Sequence, residues 1–302
     1  MAEHGGSTQT ILFALGANLA IAIAKAVAAI ISGSGSMAAE AVHSFADCAN
    51  QLLLLLGLRS AAKPPDDDHP LGYGRAFYFW SFIVALMLFS GGGLFSIYEG
   101  LHKLETHEPL AHPWIAVGVL VFSLVAESVA LARALRQIRD VRAGQSLWRW
   151  FRTTRQSELL VVLGEDIAAT IGLSLALVAI GIAMLTGDVA WDAYGSIAIG
   201  VLLIIIAIFI GVEVKALLVG QSVEPALRER LRRFVAGRPE VAEVLNLIAM
   251  QHGEDVIVAI KARMTEAPSA RALIDAINDC ERAIRAEFPE VRWLFFEPDV
   301  ER

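Results

Sequence analysis

Within this sequence His43 and Asp47 stand four residues apart inside a long apolar run, SMAAEAVHSFADCANQLLLLLGL. At about 100° per residue their side chains point within about 40° of each other and rise about 6 Å apart, so both face one groove, and Asn50 shares that stripe. An imidazole and a carboxylate one turn apart can share a divalent ion of borderline softness if another helix completes the shell. A second apolar run, VVLGEDIAATIGL, carries Glu165 and Asp166 side by side. In a low dielectric two such carboxylates repel unless a cation lies near them, and Gly164 and Gly172 leave room for a neighbouring helix to approach. Ionisable groups in hydrocarbon cost about 3 kcal/mol or more, which makes each a functional candidate. The plainer reading is that His43 and Asp47 pair with each other, or that the acidic pair faces a wet vestibule.

Other polar groups in apolar runs carry a weaker message. Asn18, Lys25, Glu99 and Glu127 read as internal salt bridges or helix-packing contacts. Cys48 is rotated about 100° from Asp47, off the stripe, and reads as packing. The two cysteines, Cys48 and Cys280, lie too far apart in sequence to indicate a disulfide framework or a zinc knuckle.

The elements that must hold these residues are apolar helices. The chain is 56% hydrophobic and only 19% charged, with mean hydropathy +0.56, which departs from a soluble globular composition. Six segments approach the length of a membrane span: 10–31, 36–58, 77–99, 113–135, 159–185 and 191–219. The first lacks the basic leader of a secretory signal, and Lys25 late within it suits a spanning helix better than a cleaved one. Arg133, Arg136, Arg139, Arg142, Arg149, Arg152 and Arg155 cluster around the fourth connection, and Arg59, Lys63 and Arg75 around the second. The first and fifth connections carry no Lys or Arg, so the charge bias places both termini in the cytoplasm, with the cell (inner) membrane as the expected location. A net charge of -7 gives no sign of a nucleic-acid partner.

Past Gly220 the pattern becomes that of a small soluble domain. A helix over 225–236 opens at Pro225; strands follow over Val241–Met250 and Val256–Met264, turning at His252-Gly253-Glu254-Asp255. An amphipathic helix over Ser269–Glu287 carries Ala272, Ile274, Ala276, Ile277, Ala283 and Ile284, and Val291–Phe296 closes as a strand. The fold class is therefore an all-α six-helix transmembrane bundle (1–219) followed by a small α+β ferredoxin-like cytoplasmic domain (220–302). A unit of that size often gains stability by dimerising.

SGSGSMAAEAVHSFADCANQ followed by DDDHPLGYGR resembles the cation diffusion facilitators, and WDAYGS and the six-span-plus-tail layout fit the same family. EAVHS, YFWS, FSIYEG and the acidic fifth span are most similar to the branch that includes zinc transporter nine. The resemblance implies a homodimer in the bilayer that exchanges a divalent cation, typically zinc, for protons by alternating access, without a resident cofactor and without enzymatic turnover. It places ligands at His43, Asp47 and Asp166.

Departures from the family pattern shape the expectation. Many zinc-selective members carry a histidine four residues before the fifth-span aspartate; here that place is Val162, which leaves Glu165 as the fourth ligand although it lies about 100° off the seam. An added carboxylate hardens the site and opens it to manganese, iron or cobalt as readily as zinc, and nickel and cadmium are further alternative cargoes. In the loop, Asp66 and His69 match two ligands of a second, weak metal site, but Tyr73 stands where another histidine would be. The final strands lack the histidines of a binuclear zinc site, and His252 reads as a turn residue. Two other classes remain open at this level: an intramembrane metalloenzyme, against which the missing HExxH counts, and a metal-sensing membrane scaffold.

Overall fold

Why the apolar runs form helices is visible at their ends. In the computed structural model, which describes residues 4–106, 108–142 and 144–301, helix α1 (His4–Ser32) stops at Gly33, whose φ of +64° turns the chain at once into α2 (Gly35–Ala61). Met1 to Glu3, His107, Ala143 and Arg302, which fall within the two predicted domains, lie outside the described residues. Helix α3 (Ala76–Met87) runs through a π-helical segment (Leu88–Leu94, LFSGGGL) into α4 (Phe95–Thr106). Next come α5 (Pro113–Val141), opened by proline in its first turn, a short α6 (Leu147–Thr153), α7 (Ser157–Thr186) and α8 (Ala190–Val219).

Among the described residues, five helices are long and apolar enough to cross a membrane: 35–61, 76–106, 113–139, 159–186 and 190–219. The remaining expected span, 10–31, coincides with α1, 29 residues long, whose described side chains form an apolar stretch over Asn18–Ser32. The outside of these helices is greasy: Trp114, Phe122 and Val125 on α5 and Ile205, Ile208 and Val212 on α8 are all more than half exposed. Surface of that kind calls for lipid rather than water.

Close packing between α3–α4 and α8 depends on small residues. A Cβ on Gly200 would meet the Gly93 carbonyl oxygen at 2.6 Å and the Ile97 nitrogen at 2.8 Å; one on Gly100 would meet the Ala193 oxygen at 2.7 Å. Ser196 Oγ donates to the Ser96 carbonyl at 2.7 Å across the same seam. Glycine and serine thus let two backbones approach where lipid supplies no hydrophobic drive.

The chain divides into two compact units, one of residues Met1–Leu56, Trp80–Leu147 and Gln156–Glu213, the other of Gly57–Phe79, Trp148–Arg155 and Val214–Arg302. The second unit contains α9 (Pro225–Ala236), β1 (Val241–His252), β2 (Asp255–Met264), α10 (Ala270–Glu287) and β3 (Val291–Pro298). The sheet order is β1-β2-β3, with β1–β2 antiparallel and β2–β3 parallel, as a helix crossing between β2 and β3 requires. Ser269 caps α10, its Oγ accepting from the Ala272 N–H at 3.2 Å. Leu247, Val258, Ile260, Cys280, Ile284 and Phe288 form the centre of the core. Two sequence assignments shift here. Ile274 faces away from this core, 54% exposed, because the buried stripe of α10 runs through Cys280 and Ile284. His252 ends β1 opposite Asp255, leaving Gly253 (φ +67°) and Glu254 as a two-residue hairpin turn.

That hairpin explains the GYGR stretch. Tyr78 Oη accepts from the Gly253 N–H at 3.0 Å, and a Cβ on Gly74 would collide with the His252 carbonyl at 2.5 Å. Arg155 Nε donates to the Ser222 carbonyl at 2.7 Å. The connection between α2 and α3 therefore docks on the β1–β2 turn.

Candidate metal centre

α2 and α7 bring three of the sequence candidates, Asp47, Glu165 and Asp166, to the wall of one cavity in the helical unit. A cavity of about 80 Å³ is walled by Asp47 and Gln51 of α2, Val162, Glu165 and Asp166 of α7, Glu127 of α5 and Asn18 of α1. His43 lies one turn from Asp47, fully buried, its Nδ1 3.5 Å from Asp47 Oδ1. Neither His43 nitrogen nor Asp47 Oδ1 has a hydrogen-bond partner among the described residues. The two side chains thus approach each other at ion-pair distance without a hydrogen bond, which agrees with their pairing and leaves the imidazole and the carboxylate oxygen able to take a ligand.

Glu165 is turned inward despite its helical angle. It is buried and accepts from Asn50 Nδ2 at 2.7 Å, which pulls it toward α2 and leaves Asp166 on the same wall. Gly164 allows this, since its missing side chain is where Ile210 of α8 packs, a Cβ there meeting Ile210 Cδ1 at 2.7 Å. Val162 lines the cavity as well, and its side chain offers no donor. Among the described residues, no three His, Cys, Asp or Glu side chains stand close enough to hold one ion together as they are. Helix spacing fixes which residues share a face but not how far apart two helices stand.

The structure also assigns residues whose sequence signal was read as packing. Glu127 and Asn18 belong to the cavity wall rather than to a separate salt bridge or helix contact. An acid in the middle of an apolar run was the available signal for Glu127; what sequence lacks is the pairing of α5 with α7. Lys25 does form an internal ion pair, with Glu40. Cys48 is buried and lies off the cavity.

In the α2–α3 connection, Asp66 and His69 lie together, Nδ1 to Oδ1 3.4 Å, both about half exposed. The Asp66 carboxylate also accepts from the His69 N–H and from Tyr73 Oη, each at 2.7 Å. The Tyr73 hydroxyl first, and the His69 amide after it, hold this carboxyl below the usual range. Tyr73 thus takes the oxygen that a third ligand would have helped to offer.

The model of the cation efflux transmembrane domain matches residues 11–219. A mitochondrial proton-coupled zinc antiporter of Xenopus laevis is 35% identical over 231 residues, 76% of this chain and 41% of that protein. A metal tolerance protein of Arabidopsis thaliana is 32% identical over 210 residues, 68% of this chain and 45% of the relative. At lower identity, 22%, a manganese efflux system protein of Bacillus subtilis aligns over 294 residues, 94% of this chain and 93% of its own length. The chain spans less than half the length of the first two relatives.

Proposed function

The chain belongs to the cation efflux family and is a multi-pass membrane protein, and from that premise we propose that it exchanges a divalent cation, zinc foremost, for protons across the bilayer. The observation that carries the reading is the cavity among the helices, walled by Asp47, Glu127, Glu165 and Asp166, with the buried imidazole of His43 3.5 Å from Asp47. The zinc and manganese activities named for the relatives are in keeping with it. Four carboxylates beside one imidazole form an oxygen-rich donor set, which tolerates manganese, iron or cobalt better than a histidine-rich one would.

His43, Asp47 and Asp166 hold the ion in this proposal, with Glu165 as the fourth ligand in place of Val162. Ligands must be deprotonated to bind, so the arriving cation releases protons from the imidazole or the carboxylates. Binding neutralises the acidic wall and removes the cost of closing it into low dielectric, which lets the helices switch the side of access. Protons returning from the far side then discharge the cargo. With no HExxH in the chain, the cavity serves passage rather than hydrolysis.

The Arg-rich connections support an orientation with both termini in the cytoplasm, and in this proposal the cation is exported from that side. The tail pairs with a second copy: Ile248, Ala259 and Phe295 line up across the three strands on the face opposite the core, Ile248 and Phe295 more than half exposed. Asp66 and His69 form at most a weak second site, since a metal there competes with Tyr73 for Asp66.

Flux into proteoliposomes, with internal pH recorded and Zn, Mn, Fe, Co, Ni and Cd compared, tests the reading. His43→Ala, Asp47→Ala or Asp166→Ala should each abolish ion flux and the accompanying proton movement while the dimer stays folded. Full activity in all three variants would end the site assignment. Unchanged selectivity in Glu165→Ala would remove Glu165 from the ligand set.

A further inference from the structure

Beyond the cavity, α2 and α7 continue toward the α1–α2 turn, and a buried cation blocks the way between them. Lys25 of α1 places Nζ 3.2 Å from Glu40 Oε2 and 2.7 Å from Ser44 Oγ, with both charged side chains fully buried. Ser44 is shared: it also lines the cavity. Glu40, His43, Ser44 and Asp47 fall at i, i+3, i+4 and i+7 on α2, which makes them one continuous stripe. On α7 the cavity reaches Ala169, and one turn further Gly172 faces Glu40, where a Cβ would come within 2.5 Å of Oε1. Glycine there leaves room for the carboxylate. That Oε1 has no hydrogen-bond partner among the described residues, and it is fully buried, as are the two bare nitrogens of His43 one turn away.

A lone structural ion pair does not account for this arrangement. Buried pairs tend to be neutral or costly unless every remaining lone pair is satisfied, and here one oxygen is left empty beside an empty imidazole. The stripe position and the glycine cradle set that oxygen against Gly172, with no donor opposite it among the described residues.

We propose that Glu40 is a further cargo ligand on the outward side of His43, occupied in this conformation by the Lys25 ammonium, which acts as a tethered cation that the transported ion displaces. The inference rests on the assignment of His43 and Asp47 as cargo ligands. A divalent ion moving from Asp47 toward the α1–α2 turn meets Glu40 next, and the Lys25 ammonium held on the same carboxylate repels it strongly in low dielectric. Lys25 must therefore leave as the ion arrives and return after it departs. While Lys25 is seated, the path beyond His43 is shut and charge-balanced without cargo.

Equilibrium dialysis of the full chain in detergent with Cd2+, in a background where Asp66→Ala and His69→Ala silence the loop, tests this together with vesicle flux. The parent and Lys25→Arg should bind one ion per chain, lost in His43→Ala/Asp47→Ala. Lys25→Met should bind a second ion, and adding Glu40→Gln should remove it. Glu40→Gln alone should keep the first ion within roughly threefold in affinity but lower the maximal flux at least roughly tenfold, the split expected of a group used in translocation rather than in first binding. The exchanged pair Lys25→Glu/Glu40→Lys retains the salt bridge and the fold but moves the carboxylate off the α2 stripe, so it should stay inactive. Parent-like flux in the exchanged pair, or a single bound ion in Lys25→Met, would overturn the proposal. A parent ion that survives His43→Ala/Asp47→Ala would instead overturn the site assignment beneath it.

Discussion

Replacing Asp192 with alanine should loosen the helical unit more than any other single truncation of a surface-remote carboxylate. Asp192 lies in the first turn of α8, is fully buried, and accepts from Ser34 Oγ at 2.7 Å, the Gly35 N–H at 2.6 Å and the Ser36 N–H at 3.2 Å. It thereby caps α2 from another helix, and its backbone carbonyl receives Ser36 Oγ at 2.8 Å. Lys103 of α4 sits 3.6 Å away, almost fully buried, with no hydrogen-bond partner among the described residues. Truncation leaves two amides and an ammonium stranded. Hydrogen bonds to a charged group contribute about 1.5–3 kcal/mol each, and stranding one partner of a buried pair costs about 3–5 kcal/mol; these overlap, so a loss of about 4 kcal/mol is expected. For a unit of this size that corresponds to a fall in Tm of about 8–16 °C. Thermal unfolding of the purified chain in micelles, followed by tryptophan fluorescence, measures it. Asp192→Asn keeps an acceptor oxygen and should lose about half as much, while adding Lys103→Met to Asp192→Ala should recover part of the loss by removing the stranded charge. A Tm for Asp192→Ala within about 2 °C of the parent would refute the reasoning, as would no recovery in the double variant.

Three further outcomes follow from the same geometry. Val162→His adds a nitrogen donor to the cavity wall and should raise the ratio of zinc to manganese flux at least roughly tenfold, measured in parallel vesicles; an unchanged ratio would mean that this position does not meet the cargo. Gly200→Ala should destabilise, because its new methyl meets backbone atoms of the α3–α4 strand of helix at under 3 Å, whereas Gly118→Ala on α5, with nothing within 4 Å, should be neutral or gain up to about 1 kcal/mol of helix propensity; equal melting temperatures would argue against the glycine seam. Burial pushes the Cys280 thiol up to about 11, well above the free-thiol value of about 8.5. Between those values the unfolded chain ionises and the folded one does not, so stability from this group falls as pH rises from about 8.5 to about 11. At pH 8 iodoacetamide should label Cys280 only after denaturation, and rapid labelling of the native chain, read by mass spectrometry, would contradict the burial.

Sequence reading went furthest where one helix or strand carried the whole signal. The spacing of His43 and Asp47 needs only the geometry of α2, and the tail's order of elements follows from turns and alternation that are local. It failed where the answer depended on which helices meet. Glu40 passed unremarked because its partner, Lys25, lies on another helix and Gly172, which makes room for it, on a third. Glu127 read as packing because only the meeting of α5 with α2 and α7 turns it into a cavity wall. Glu165 reads as a fourth-ligand candidate despite its angle of about 100° from Asp166, and the contact from Asn50 of α2 at 2.7 Å that holds it inward is likewise one that only the meeting of two helices supplies. Glu40 and Glu165 share a physical trait: each is an acid in an apolar run whose stabilising contact comes from a different helix. In a bundle without a hydrophobic drive between its helices, such cross-helix polar contacts help hold the helices together, and under the proposed function they are also what must be exchanged. A residue that only stabilised the fold would lose little by being satisfied permanently. Glu40 Oε1, Asp47 Oδ1 and both nitrogens of His43 are left without hydrogen bonds along one stripe, which is the condition expected of groups whose partner comes and goes.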